Sequence, residues 1–240
     1  MFKYLKNMYR QQSFRPGNVG FFTNPFYFAR RGLYKAIKDF SPHLNGRLLD
    51  IGCGTKPYAK LFFCEEYIGL EIDSPETRLK DIANFYYDGT TFPFEGEQFD
   101  SVLCNQVFEH VFNPDFFISE ISRVLKPSGK LLLSVPFVWD EHEQPNDYAR
   151  YTSFALKFML EKHGFRLISQ IKTCADATTI FQLINAYLYK IFINRSMVVQ
   201  LFLTATVIAF FNITGAIIGK IFPKNTDLYL DNVVLAEKIS

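Results

Sequence analysis

With 240 residues the chain can bury one substantial α/β core and carry an addition to it, but it is short for two full-sized domains. Its 26 Lys and Arg against 24 Asp and Glu give a net charge of only +2, which excludes a uniformly basic, nucleic-acid-coating surface. The cysteines Cys53, Cys64, Cys104 and Cys174 form no Cys-x-x-Cys pair and have no histidine at metal-ligand spacing, so reduced, buried thiols and no metal site are expected.

Residues 1–44 read as a basic aromatic arm. Positions 1–40 sum to +7, so the rest of the chain sums to −5. The opening MFKYLKNMYR scatters charge among apolar positions and lacks the continuous apolar run of a signal peptide, which predicts a cytoplasmic protein. Cations interleaved with Phe2, Tyr4, Phe14, Phe21, Phe22, Phe26, Tyr27 and Phe28 suit an anionic membrane surface. Nucleic acid is not expected as a partner, because the remainder is acidic and carries no nucleic-acid motif. A helix from about Pro25 to Phe40 that packs its aromatics on a sheet accounts for the same residues equally well.

From residue 45 to 175 strands and helices alternate. A strand at 47–51 runs into the turn Gly52-Cys53-Gly54, where glycines let the backbone approach a ligand that a Cβ would strike. Pro57 opens a predicted helix over 57–64. The next strand, 67–71, ends at Glu71, about 20 residues after Asp50, the spacing at which a Rossmann-like unit presents a carboxylate to ribose. A helix at 75–82 and a strand at 84–87 follow, then Asp88 ahead of the turn Phe92-Pro93-Phe94. A strand at 99–104 ends at Asn105. Asn113-Pro114-Asp115 opens a helix over 114–125 that Lys126-Pro127-Ser128-Gly129 closes, before a strand at 129–136. A helix at 152–163 with Thr152 as its cap leads to a strand at 165–171, and the last strand falls at 229–237. This rhythm predicts a parallel, doubly wound sheet.

Between the last two strands lies an apolar insertion, 176–227. No residue from Ser196 to Gly219 is charged, a run long enough to cross a bilayer, which needs about 20 residues. The apolar piece before it, between Asp176 and Lys190, is too short to cross, and both flanking strands must join one sheet, so the crossings must be even in number or absent. A helical hairpin lying in the membrane interface satisfies both conditions. A soluble helical cap over a hydrophobic substrate, or a dimer interface, is the alternative. Residues 228–240 complete the core.

The segments LLDIGCGTKPY (48–58), YIGLEIDSPE (67–76), YYDGTTFPF (86–94), FDSVLCNQVFEHV (99–111) and ISRVLKPSGKLLLSVPF (121–137) together resemble the class I S-adenosylmethionine-dependent methyltransferases, in the broad group related to small-molecule methyltransferases. The resemblance implies a Rossmann-like seven-stranded sheet with helices on both faces, to which the hairpin between the last two strands is added. It implies S-adenosylmethionine as cofactor. Gly52, Cys53 and Gly54 would pass beside its methionine moiety, with Asp50 fixing the turn and meeting the ammonium through bridging contacts. Glu71 matches the acid that takes both ribose hydroxyls, with Asp73 the runner-up, Asp88 matches the acceptor of the adenine amino group, and Asn105 opens the loop under the sulfonium. Lys56 stands where many relatives carry a third glycine, either to meet the cofactor's carboxylate or to be solvated. The Gly-Cys-Gly-x-Lys-Pro-Tyr form resembles members associated with bacterial surface-glycan assembly.

An activated methyl donor asks little of the protein beyond positioning the acceptor and removing its proton. The loop 139–152 follows the fifth strand on the side where α/β sheets bind ligands, and His142, between Glu141 and Glu143, is the preferred base. His110, beside Glu109, is the second candidate, and a structural role suits it better than a catalytic one. Asp147, Tyr148, Arg150 and Tyr151 offer hydrogen bonds suited to a sugar, or merely organise the next helix. The expected function is methylation of a hydroxyl on a glycan or lipid-linked saccharide by a peripheral or monotopic enzyme at the inner membrane face. A methyltransferase for a soluble quinone or polyketide, and a non-catalytic membrane scaffold on the same fold, are the alternatives.

Overall fold

The computed structural model describes residues 12–239; the arm positions Phe2, Lys3, Tyr4, Lys6 and Arg10 lie outside them. The described chain divides into two compact units, one of residues 12–35, 138–140 and 172–231, the other of residues 36–137, 141–171 and 232–239. The second unit holds the sheet. Its strands are β1 (Arg47–Ile51), β2 (Glu66–Ile72), β3 (Phe85–Tyr87), β4 (Phe99–Asn105), β5 (Leu125–Pro136), β6 (Phe165–Lys172) and β7 (Asp231–Lys238), in the order β3-β2-β1-β4-β5-β7-β6.

Strands β1 to β5 pair in parallel, with Asp50 level with Gly69 on one side and Leu103 on the other. The last pair is antiparallel, because Ile239 N–H donates to Gly164 while Thr173 N–H donates to Asp231, so one strand descends as the other rises. The sheet is therefore mixed. Leu48 to Ile51 and Leu131 to Pro136 are buried without alternation, the pattern of strands covered on both faces. The order reverses between β1 and β4, and this switch point is where open α/β sheets leave a crevice at the strands' carboxyl ends.

Helix α1 (Asn18–Thr23) and the longer α2 (Tyr27–Phe40) precede the sheet; α3 (Pro75–Lys80), α4 (Pro114–Val124) and α5 (Ser153–Lys162) connect its strands. Ser74, Asn113 and Thr152 cap α3, α4 and α5 through their side chains, as sequence reading predicts for the last two. Two local expectations need correction. The predicted helix at 57–64 is a single 3₁₀ turn, Ala59–Leu61. Lys56 takes a left-handed φ of 51° and donates its N–H to Cys53, which uses up the first helical turn, and the chain must reach β2 at Glu66. Likewise Lys126-Pro127-Ser128-Gly129 does not precede β5 but lies within it. Phe99 faces Leu125 whereas Ser101 faces Lys130, so the quartet forms a bulge, with Ser128 at φ 62°.

The first unit is built on the insertion. Helix α6 (Thr178–Phe192) is followed by α7 (Met197–Leu203), which continues through a π turn, Thr204–Ile208, into α8 (Ala209–Ile221). Polar side chains fasten these helices to the N-terminal segment. Gln182 accepts from Ala29 N–H and donates to the Pro25 carbonyl, while Asn212 accepts from Asn185 and donates to the Phe21 and Asn24 carbonyls, all three side chains being fully buried. Because losing one partner leaves buried groups unsatisfied, Asn212→Ala is expected to destabilise this unit by about 2–4 kcal/mol, read as a lower urea midpoint.

Candidate active site

β1 delivers the chain to the switch point. Gly52 and Gly54 hold φ of 63° and 50°, and Gly52 and Cys53 both donate to the Leu70 carbonyl at the end of β2. A Cβ on Gly52 would lie 2.4 Å from a methyl of Val107, so the segment after β4 packs directly on the turn. At Gly54 a Cβ would meet nothing within 4 Å, so this side of the turn faces open space. Cys53 is buried, and burial pushes its thiol up to about 12, which keeps it protonated and rules out a nucleophilic role.

Glu71 reaches back to this turn. Its Oε2 accepts the Gly54 N–H at 2.8 Å and its Oε1 the Ile72 N–H at 3.1 Å. A carboxylate has about four acceptor sites, so two stay available for adjacent hydroxyls. Asp73, the runner-up, is already held by both nitrogens of the Arg78 fork at 2.7 and 2.8 Å, and Arg78 in turn stacks on Tyr86. Asp88 sits just past β3 and accepts from the amide and hydroxyl of Thr90, which hold its carboxyl below the usual range. Asn105, at the end of β4, accepts from the Ser134 hydroxyl at 2.8 Å. Lys56 donates to Asn84 at 2.7 Å and so serves the β2–β3 connection.

Asp50 does not bond the turn amides. It is buried, its Oδ2 accepts the Tyr67 hydroxyl at 2.6 Å, and burial raises its pKa to about 7. Tyr67 is a site residue that sequence reading missed. The only signal was a hydroxyl-bearing ring at the start of a strand that is otherwise apolar up to Glu71.

After β4 a 3₁₀ turn, Phe108–His110, brings a second cluster to the same edge. The Glu109 carbonyl accepts the amides of Tyr148 and Ala149, and Tyr151 stacks on Phe108 at 4.7 Å, so the loop after β5 is pinned against this turn. The pinning sets His110 and His142 edge to face, ring centroids 4.8 Å apart. Sequence reading places His142 between Glu141 and Glu143, but its spatial partners are Asp147, 3.3 Å from Nδ1, and Glu109, 3.9 Å from Nε2. Asp147 and Arg150 form a two-pronged pair with both contacts at 2.6 Å, and Tyr151 is buried, so of the four predicted sugar contacts Tyr148 has the most exposed side chain, its hydroxyl donating to Asn146 Oδ1. Lys80 pairs with Glu76 at 2.7 Å, which raises its pKa.

This sheet order, with a glycine turn at its switch point and a carboxylate at the end of the neighbouring strand, is the arrangement of the class I S-adenosylmethionine-dependent methyltransferases. A methyltransferase domain model matches residues 49–133. The chain is 29% identical over 164 residues to an uncharacterized protein of Methanocaldococcus jannaschii, covering 64% of this chain and 78% of that protein. It is 32% identical over 119 residues to the ubiquinone biosynthesis O-methyltransferase of Dinoroseobacter shibae, covering 41% of this chain and 44% of that enzyme, so the match spans less than half of that relative. The fold is similar to phosphoethanolamine N-methyltransferase 2 of Haemonchus contortus, solved with phosphomonomethylethanolamine and S-adenosylhomocysteine, with a TM-score of 0.55 and 18% identity over 98% of this chain and 57% of that one.

The cofactor is S-adenosylmethionine, which supplies a methyl group activated on a sulfonium. The residues present fit it: the open side of Gly54 leaves room where a side chain would intrude, and Glu71 retains acceptor capacity beside it. Glu71, Asp88 and Asn105 stand at the ends of β2, β3 and β4 with acceptor oxygens, suited to ribose hydroxyls, an adenine amino group and a cationic sulfur respectively.

Proposed function

We propose that this methyltransferase transfers its methyl group to a hydroxyl of a lipid-linked saccharide or related glycan drawn from an anionic membrane surface. The observation that carries this reading is the apolar face of the insertion. Val198, Leu201, Phe202, Phe210, Ile217 and Ile221 are each 52–77% exposed on one helix, Val198–Ile221, which is long and apolar enough to cross a membrane. Exposed apolar side chains at this density need a partner surface. Its helical companion α6 has 15 residues, about 22 Å, short of the bilayer's roughly 30 Å core, and β6 and β7 share one sheet, so a hairpin lying in the interface suits both facts better than a crossing. Arg195, Lys220 and Lys224 lie in the last turn of α8 or just beyond these helices, where they complement anionic headgroups. Leu183, Ile184, Tyr187, Leu188, Val207 and Phe211 line a cavity of about 570 Å³ that suits one hydrocarbon chain.

The acceptor hydroxyl is read as being activated at the Glu109, His110 and His142 cluster, with Tyr148 and the adjacent loop offering it hydrogen bonds. A membrane quinone is the second reading, favoured by the similarity to ubiquinone biosynthesis O-methyltransferases. Incubating the full chain with labelled S-adenosylmethionine and a membrane lipid extract, followed by mass analysis, tests both. A gain of one methyl on a saccharide lipid is expected, and a gain on a quinone selects the second reading. Flotation with anionic vesicles is expected for the wild type and reduced for Phe202→Glu. No labelled lipid together with no flotation overturns the membrane reading. Calorimetric heats for S-adenosylmethionine that are equally weak in wild type and Glu71→Ala favour a non-catalytic scaffold.

A further inference from the structure

Three side chains from separate stretches of chain converge beyond the end of β4. Glu109 Oε1 lies 3.8 Å from His110 Nε2 and 3.9 Å from His142 Nε2, and one ligating atom from each of the three falls within 4.8 Å of the others. The far nitrogen of each ring is held from behind. His110 Nδ1 is 2.7 Å from the carbonyl oxygen of Asn146, and His142 Nδ1 is 3.3 Å from Asp147 Oδ2. A carbonyl accepts and never donates, so the His110 Nδ1 is the donor in its contact with Asn146. In a neutral imidazole the His110 lone pair then stands on Nε2, toward Glu109. The Glu109 side chain is fully buried. Two imidazole nitrogens and an oxygen of a buried carboxylate thus converge as a set of ligating atoms. Histidines oriented from behind by a carbonyl and a carboxylate are the outer arrangement that sets imidazoles for metal binding.

We propose that Glu109, His110 and His142 bind a divalent transition-metal ion of the zinc or cobalt class, leaving a coordination position open to an acceptor oxygen. Two imidazoles and one carboxylate with an open fourth position match the donor set of catalytic zinc sites rather than the all-oxygen shell of magnesium. The ligand separations of 3.8 and 3.9 Å exceed the roughly 3.3 Å expected around an ion with bonds of about 2.0 Å, so the site closes by about half an ångström on loading. His142, with its side chain 30% exposed, lies on the open rim of the cluster and is the member with room to move. This assignment rests on the reading that the cluster activates the acceptor hydroxyl, since an ion there lowers the pKa of an oxygen bound to it. The absence of a metal motif in the sequence is no obstacle: adjacent ligands at 109 and 110 are completed by one more than thirty residues away, a spacing only the pinned loop brings together.

The test is titration of the metal-stripped full chain with Co²⁺ alone, followed by visible d–d absorption. One bound equivalent is expected, displaced by Zn²⁺, with affinity at least about tenfold weaker in His142→Ala and His110→Ala and about tenfold weaker in Asp147→Asn. His163→Ala, whose ring sits on Asp115 at 2.8 Å, is expected to bind as the wild type does. No Co²⁺ band in the wild type, or an equal affinity in His142→Ala with a wild-type circular dichroism spectrum, overturns the proposal. The two readings fail separately: if Co²⁺ does not bind yet His142→Ala abolishes methyl transfer with S-adenosylmethionine affinity intact, only the metal is lost.

Discussion

Asp50→Asn is expected to raise the thermal midpoint of the cofactor-free protein at pH 8 and to flatten its dependence on pH. Burial lifts the Asp50 carboxyl from an unfolded value near 4 to about 7, against the lowering effects of the Tyr67 hydroxyl and the Lys56 charge. The folded chain therefore holds this proton more tightly than the unfolded chain. The stability it contributes is fully present below the unfolded pKa and is lost as pH rises through the folded one. A shift of about three units corresponds to roughly 4 kcal/mol between the two limits. Asparagine keeps an acceptor for Tyr67 and never ionises, so at pH 8 it removes that cost. For a chain of this size each kcal/mol moves Tm by about 2–4 °C, so a gain of about 5 °C or more is expected by calorimetry, shrinking to nothing near pH 4. A wild-type Tm that does not fall between pH 4 and 7.5 relative to the variant sinks the assignment. The same carboxylate should favour a cationic ligand only once ionised. Wild-type affinity for S-adenosylmethionine is thus expected to rise from pH 6 to 8, and Asp50→Asn to lose both the rise and most of the affinity.

Why Asp50 sits there at all illustrates what a linear sequence conveys. The strand LLDI and its glycine turn are visible as a pattern because a buried strand must be apolar and a tight turn must be glycine, two demands that local residues meet by themselves. The parallel strands β1 to β5 follow from the same rhythm, but the antiparallel pairing of β7 with β6 does not. Partners across strands are a different matter. Tyr67 is level with Leu48, not with Asp50, and only the packed interior shows its hydroxyl reaching the acid. The 57–64 segment misled because its composition permits a helix, whereas the left-handed Lys56 leads into a short turn that ends at Leu61. In the loop after β5 the sequence neighbours of His142 were the wrong carboxylates. Fixing which groups face it took the amides of Tyr148 and Ala149 docking on the Glu109 carbonyl, an interaction between backbones that leaves no mark in side-chain identity. The glycine turn is the reverse case, where backbone demands dictate residue type, and it separates folding from binding within three positions.

Gly52→Ala and Gly54→Ala are expected to fail in different ways. Both residues occupy the left-handed region, where an alanine costs about 1 kcal/mol or more. At position 52 the new methyl would also stand 2.4 Å from Val107, inside a packed contact between the β1 turn and the segment after β4. Overpacking of this kind adds about 1–3 kcal/mol, so Gly52→Ala should lose roughly 3 kcal/mol and about 6–12 °C in Tm. Adding Val107→Ala relieves the overlap but not the backbone strain, and should return part of that loss. At position 54 nothing lies within 4 Å of the new methyl, so the fold should lose only the conformational part, about 2–4 °C. That methyl instead occupies the space beside the amide that Glu71 holds, and S-adenosylmethionine affinity, measured by calorimetry, is expected to fall at least about tenfold in a protein that is otherwise folded. If Gly54→Ala binds the cofactor as the wild type does, the turn's open side is not where the ligand passes, and the assignment of Glu71 as its ribose acceptor falls with it.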